Sequence, residues 1–190
     1  MKYFRLTTIL LLLAFTVGAL TSPNPATAAS AAEIDRDAQK ALGDLYAKSP
    51  SAKTMGEKAI GVLVFPGIVK GGFIVGGQYG EGALIKDGKT VAYYNTVAAS
   101  YGLQAGLQKF GYALFFMTDS ALKWLDKSDG WEIGVGPSIV VVDAGAAASM
   151  TSTTLQSDIY AFFFDQKGLM AGIGLQGTKI TKLDKTPPSD

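Results

Sequence analysis

The chain has 190 residues, with 17 basic and 16 acidic side chains, no histidine and no cysteine. The lack of histidine excludes Ser-His nucleophiles, histidine general bases and every histidine-containing metal site, and the lack of cysteine excludes disulfides and a lipid-modified N-terminal cysteine. The near-neutral charge argues against a nucleic-acid-binding domain, which would be clearly basic.

Residues 1–28 have the pattern of a cleaved export signal. Lys2 and Arg5 give a positive start, Ile9–Leu20 is apolar, and Ala26–Ala28 is a small-x-small cleavage site. The apolar run is shorter than the roughly 17–25 residues that a membrane-spanning helix needs. We therefore expect cleavage directly after this site and an exported protein that is periplasmic or secreted.

An amphipathic helix is expected to follow the signal. Ser30 and Glu33 have the spacing of a capping box, which predicts a helix that runs to about Lys48. Pro50 ends that helix, and a short helical turn is expected over 51–58. The apolar positions of the long helix follow helical spacing: Ile34, Ala38, Ala41, Leu42 and Leu45.

From Ala59 onward the apolar residues alternate with the period of β-strands. Asp87-Gly88 predicts a hairpin turn between two strands, and Asp119–Asp126 predicts a second, short helix. The predicted strands are 60–65, 73–79, 83–86, 90–96, 100–108, 112–118, 131–135, 139–142, 159–164 and 169–176. This pattern predicts one α+β domain over residues 29–182 with a strongly coiled or barrel-like antiparallel sheet, followed by a flexible tail over 183–190.

Several short motifs match nucleotide-binding or nucleic-acid-binding patterns, but their context favours structural roles. Residues 83–90 resemble a phosphate loop and Gly172–Gly177 spells a dinucleotide fingerprint, yet neither is followed by the helix that would hold phosphates. Gly77–Gly80 is interpreted as a tight turn between strands. Ser120 and Lys123, three residues apart, are interpreted as surface neighbours on a helix. The sequence therefore predicts no nucleotide, nucleic acid or other cofactor, and no enzymatic activity.

Two glycine-rich runs resemble the SYLF (Ysc84-like, formerly DUF500) family of lipid-binding domains. The matching motifs occur in order as Val64–Pro66, Gly72–Gly82, Ser100–Gly106 and Gly168–Gly177. They are similar to those of the bacterial secreted branch of the family. Eukaryotic relatives are associated with phosphoinositide lipids and actin-regulatory partners.

The resemblance implies a non-enzymatic protein of the bacterial envelope that binds lipid or a membrane surface peripherally. The alternative is an envelope structural or protein-interaction module without a lipid ligand, and an envelope protein then becomes the partner. Family behaviour points to the N-terminal helix and to lysines near the first strands. In this chain these residues are Ile34, Leu42 and Leu45 as the apolar face, and Lys53, Lys58 and Lys70 as head-group contacts. A second interpretation of the helix is that it covers one face of the sheet.

Overall fold

The structure is a computed structural model that describes residues 29–72, 75–101, 106–127, 129–142, 157–167 and 175–187. Within these ranges the chain forms helices packed against one large sheet. The helices are α1 (Ala31–Lys48), α2 (Pro50–Gly56) and α3 (Asp119–Leu122), the last continuing into a 3-10 turn over Lys123–Asp126.

The predicted capping box fixes the start of α1. The backbone N–H of Glu33 donates to the Ser30 hydroxyl, and the Glu33 carboxylate accepts from the Ser30 backbone N–H at 2.8 Å. Ser49 ends α1 and caps α2, whose first residue is Pro50. In α3 the cap is Thr118, one residue before the predicted Asp119, because the Thr118 hydroxyl accepts from the backbone of the first turn.

Eight strands form a mixed sheet that curves into a half-barrel. They are β1 (Gly61–Gly72), β2 (Val75–Lys86), β3 (Lys89–Tyr101), β4 (Gly106–Phe116), β5 (Trp131–Glu132), β6 (Ile139–Val142), β7 (Ile159–Lys167) and β8 (Lys179–Leu183). Their spatial order is β5-β8-β3-β2-β1-β4-β7-β6. The predicted α+β class is confirmed. The sheet is antiparallel except where β6 runs parallel to β7, because the long connection over 143–158 allows a crossover that a hairpin does not.

Strands β1–β4 and β7 are longer than the sequence predicted. The glycine-rich end of β1 and the glycine-rich start of β2 pair with each other and stay in the sheet. The strand β2 therefore joins the predicted strands 73–79 and 83–86, and Gly77–Gly80 lies inside it rather than in a turn. Pro66 coincides with a register shift in β1, as expected for a residue without a backbone N–H. β5 is shorter than predicted because the chain turns at Gly134, whose φ is 109°. The predicted strand over 169–176 lies mostly outside the described residues, and β8 was not predicted.

Both faces of the sheet are covered by apolar side chains. On the face that we call outer, α1 and α2 pack against β1–β4 and β7 through residues that include Val64, Tyr93 and Phe115. On the inner face the curved sheet packs against the α3 region and β5 through residues that include Phe65 and Trp131. This two-sided burial agrees with the expectation for β4 and β7, which are apolar on both faces.

Candidate functional site

A row of side chains crosses five strands on the outer face beyond the end of the helical cover. Val69 of β1 is the direct partner of Tyr79 on β2, and Tyr79 is the partner of Val97 on β3. Direct cross-strand partners point to the same side of a sheet. The three side chains are 44%, 49% and 44% exposed. A lysine flanks these three side chains on each side, since Val69 pairs with Lys109 and Val97 pairs with Lys179. Beyond them, Lys109 is the partner of Lys167 on β7 and Lys179 is the partner of Glu132 on β5.

A groove of about 920 Å³ runs between this row and α1. Leu107, which is 75% exposed, lies beside the row and contacts Gly71. Gly71 and Gly77 are cross-strand partners in the groove lining, so the floor of the groove at this point is bare backbone. Together with the row, Leu107 forms an apolar surface that we call the outer patch: Val69, Tyr79, Val97 and Leu107.

The charges near the outer patch favour contact with an anionic surface. The acids that line the groove each have a basic partner. Asp37 lies 3.0 Å from Arg36, Asp44 lies 2.5 Å from Lys40, Asp165 lies 3.3 Å from Lys48, and Glu81 lies 3.9 Å from Lys185. The two lysines of the row, Lys109 and Lys179, have no ion pair in the part of the chain that the structure describes. Lys109 therefore carries its full positive charge, whereas the charge of Lys179 is partly offset by Glu132, its direct partner on β5.

The hydroxyl of Tyr79 is held in place at the edge of the patch. It donates a hydrogen bond of 2.7 Å to Oε1 of Glu81 on the same strand. Burial of the hydroxyl, helped by this bond to a carboxylate, raises the pKa of Tyr79 to about 12. Tyr79 thus presents an uncharged ring to solvent with its polar end turned toward Glu81, a geometry suited to the boundary between water and an apolar phase.

The structure places the six predicted site residues in three separate environments. Ile34, Leu42 and Leu45 are 3%, 7% and 6% exposed, because this face of α1 packs on the sheet. The helix therefore covers the sheet, which was one of the two interpretations of its apolar face.

The three predicted lysines do not gather around that face. Lys53 and Lys58 are exposed in and after α2, before β1 begins. At about 3.3 Å per residue, the eight positions from Gly61 to Val69 put them more than about 20 Å from the outer patch. Lys70 is only 9% exposed and points to the inner face. These residues do not form one continuous surface.

The outer patch was not predicted from the sequence. Its residues alternate with buried ones, which is the pattern of any strand with one covered face. Periodicity separates the two faces but does not say how far a helix extends over one of them. Only the strand register shows that Val69, Tyr79 and Val97 are direct partners on three adjacent strands.

The motifs that were interpreted as structural lie in structural positions. The phosphate-loop match ends in the β2–β3 hairpin turn, where Asp87 and Gly88 have φ values of 50° and 77°. Gly177 lies in a turn before β8, and Gly172 and Gly174 lie outside the described residues. In the described ranges no three acidic side chains come close enough to hold a metal ion. None of the described helices has the length and hydropathy of a membrane span.

A comparison with protein families matches residues 97–186 to the Ysc84 family, described as "Las17-binding protein actin regulator". The match begins at Val97 in the row and runs through β4–β8. A search of curated proteins finds no match to the chain. The resemblance found in the motifs is thereby confirmed. Residues 97–186 therefore carry the Ysc84, or SYLF, domain.

Proposed function

We propose that this protein is an exported, non-enzymatic binding domain of the bacterial envelope that attaches reversibly to lipid surfaces through the outer patch. The observation that carries the proposal is the row Lys109–Val69–Tyr79–Val97–Lys179, in which exposed apolar groups are flanked by two lysines that make no ion pair within the described residues. Membership of a binding-domain family supports the non-enzymatic part. The export signal supports the location.

The energetics favour weak attachment. Val69, Tyr79 and Val97 are already about half covered, so each adds only part of the roughly 1.5–3 kcal/mol that full burial of a large apolar side chain provides. Two lysines near an anionic surface add about 1 kcal/mol each. A binding free energy of this size predicts peripheral attachment that is reversible and sensitive to salt.

The predicted helix site is a different form of the same proposal. For Leu42 and Leu45 to meet lipid, α1 has to leave the sheet and expose the outer-face core beneath it. The outer patch needs no such change. Lys53 and Lys58 then contribute only if the protein lies along the membrane on its α2 side.

Vesicle co-sedimentation tests the outer patch with a closely matched pair of variants. Val97 and Val91 lie on the same strand and are 44% and 43% exposed, but only Val97 belongs to the row. We expect the protein to pellet with vesicles that contain anionic lipid at low salt. Val97→Asp should abolish pelleting and Val91→Asp should leave it unchanged.

Two results would contradict the proposal. If no vesicle composition pellets the protein at low salt, the protein-interaction alternative replaces lipid binding. The family description names a protein partner of its members, which favours that alternative as the second candidate. If both aspartate variants bind like the original protein, lipid binding stands but the outer patch is not the site.

A further inference from the structure

Lys70 is a buried lysine near the end of β1, one of the middle strands of the sheet. It is 9% exposed and makes no ion pair or hydrogen bond within the described residues. It lies on β1, and its direct partners are Gln78 on β2 and Gln108 on β4. All three therefore point to the inner face, opposite the outer patch.

No carboxylate on the neighbouring strands can neutralise this lysine. The four long strands β1–β4 contain one acidic residue, Glu81, and it lies on the outer face beside Tyr79. β8 contains no acidic residue. Burial of an unpaired ammonium group is costly, and proteins normally pair such a charge or place it at a binding site.

The groups around Lys70 are hydrogen-bond donors. Gln78 Nε2 donates to Oγ1 of Thr178 at 3.5 Å, and both side chains are buried, at 7% and 0% exposure. The Thr178 hydroxyl accepts this bond and so keeps its own proton to donate, while the Gln78 amide keeps a second N–H. The backbone of Thr178 is fixed by hydrogen bonds to Ile133 and Leu175. With the three N–H groups of Lys70, the cluster offers about five donors and one positive charge.

The cluster is close to the rim of the half-barrel. Lys70 is near the end of β1 and Gln78 near the start of β2, whereas Ile68 and Phe110 close the core below them.

We propose that Lys70, Gln78 and Thr178 form an inner-face site for a phosphate group. A lysine ammonium group acts as a compact point charge for phosphate, and the several acceptor oxygens of phosphate match the donors better than the two of a carboxylate. The phosphate comes from a lipid head group or is free in solution. The site does not depend on membrane attachment through the outer patch.

Calorimetric titration of the protein with inorganic phosphate, against chloride of equal ionic strength, tests the site. We expect saturable binding and a rise in the melting temperature. Lys70→Met should weaken binding by about tenfold or more, since it removes a charge-assisted contact. Thr178→Val should weaken it less. Lys123→Met, which removes an exposed lysine from the 3-10 turn and from neither proposed site, should bind phosphate normally.

Folding of the Lys70→Met variant is checked in the same experiment. Without phosphate its melting temperature should equal or exceed that of the original protein, because an uncompensated buried charge has been removed. A second titration with a soluble short-chain phosphatidic acid identifies the source: tighter Lys70-dependent binding than inorganic phosphate indicates a lipid head group, and equal or weaker binding indicates free phosphate.

The proposal is overturned if phosphate has no effect beyond that of chloride, or if a folded Lys70→Met variant responds to phosphate like the original protein. Neither result tests lipid binding through the outer patch, because that proposal is tested with the Val97 and Val91 variants.

Discussion

The phenol oxygen of Tyr112 lies 2.8 Å from Oγ1 of Thr96, and both side chains have no exposed surface. Thr96 is on β3 and Tyr112 on β4, with β2 and β1 between these strands in the sheet. The bond therefore spans the curved inner face. It gives two buried hydroxyl groups their partner, which burial in an apolar core requires.

A double-mutant cycle tests the importance of this bond. Tyr112→Phe leaves the Thr96 hydroxyl buried without its partner, and we expect a loss of about 1–3 kcal/mol in the free energy of unfolding. Thr96→Val should cost a similar amount of unfolding free energy, because it leaves the Tyr112 hydroxyl buried without its partner. The double variant should be more stable than the sum of the two losses implies, as measured by urea unfolding. Strict additivity would show that the hydroxyls do not depend on each other.

Stability should fall in strongly alkaline solution. Burial raises the pKa of Tyr94 to about 12, and complete burial raises that of Tyr112 further. In the unfolded chain tyrosine ionises near pH 10, so above about pH 10 the unfolded state loses protons that the folded state keeps. The stabilising contribution is complete below pH 10 and is lost as the pH rises toward 12. Thermal melts across this range, with tyrosinate absorbance as a second signal, check the expectation; a melting temperature that is constant up to pH 12 would contradict it.

Two glycines should respond to alanine in opposite directions. A Cβ at Gly82 would lie 2.3 Å from the backbone oxygen of Val64, so Gly82→Ala forces two strands apart. We expect a loss of at least about 1–3 kcal/mol, as for other overpacked cores. Gly43 lies in α1 with no atom within 4 Å of the added carbon, and Gly43→Ala should stabilise the protein by up to about 1 kcal/mol. Chemical denaturation measures both, and equal effects would show that the close approach at Gly82 is unimportant.

A crosslink can decide whether α1 must leave the sheet to bind lipid. The chain contains no cysteine, and Asp35 of α1 accepts a hydrogen bond from the hydroxyl of Thr90 on β3. Asp35→Cys with Thr90→Cys should form a disulfide that holds the helix in place. We expect the oxidised variant to pellet with vesicles like its reduced form. Binding that appears only after reduction would favour the helix site and count against the outer patch.

Export can be checked by the intact mass of the protein in the envelope fraction. We expect a chain that begins at Ala29, because the small-x-small pattern ends at Ala28. In the structure the backbone oxygen of Ala29 accepts a hydrogen bond from Lys185, so the first residue after the expected cleavage site is held against the C-terminal segment. A chain that still begins at Met1 in that fraction would contradict the expectation.

Local structure was largely predictable because its causes are local. The capping box at Ser30 and Glu33, the apolar stripe of α1 and the Asp87-Gly88 turn each depend on residues within a few positions of one another. The strand β8 was missed because three of the five residues of Lys179–Leu183 are polar and only Ile180 is buried. It becomes a strand through pairing with β3, which lies far away in the sequence.

The sequence by itself determined the α+β class, the family and the lack of histidine and cysteine chemistry, since these depend on composition, periodicity and motif order. The tertiary structure decided which apolar and charged side chains are exposed to solvent and which are buried. Register brought Val69, Tyr79 and Val97 into one exposed row, and the packing of α1 buried Leu42 and Leu45. Curvature and strand order left Lys70 on the inner face, away from the only acid of the long strands. Burial and pairing are properties of contacts between distant residues, and alternation along one strand does not specify them.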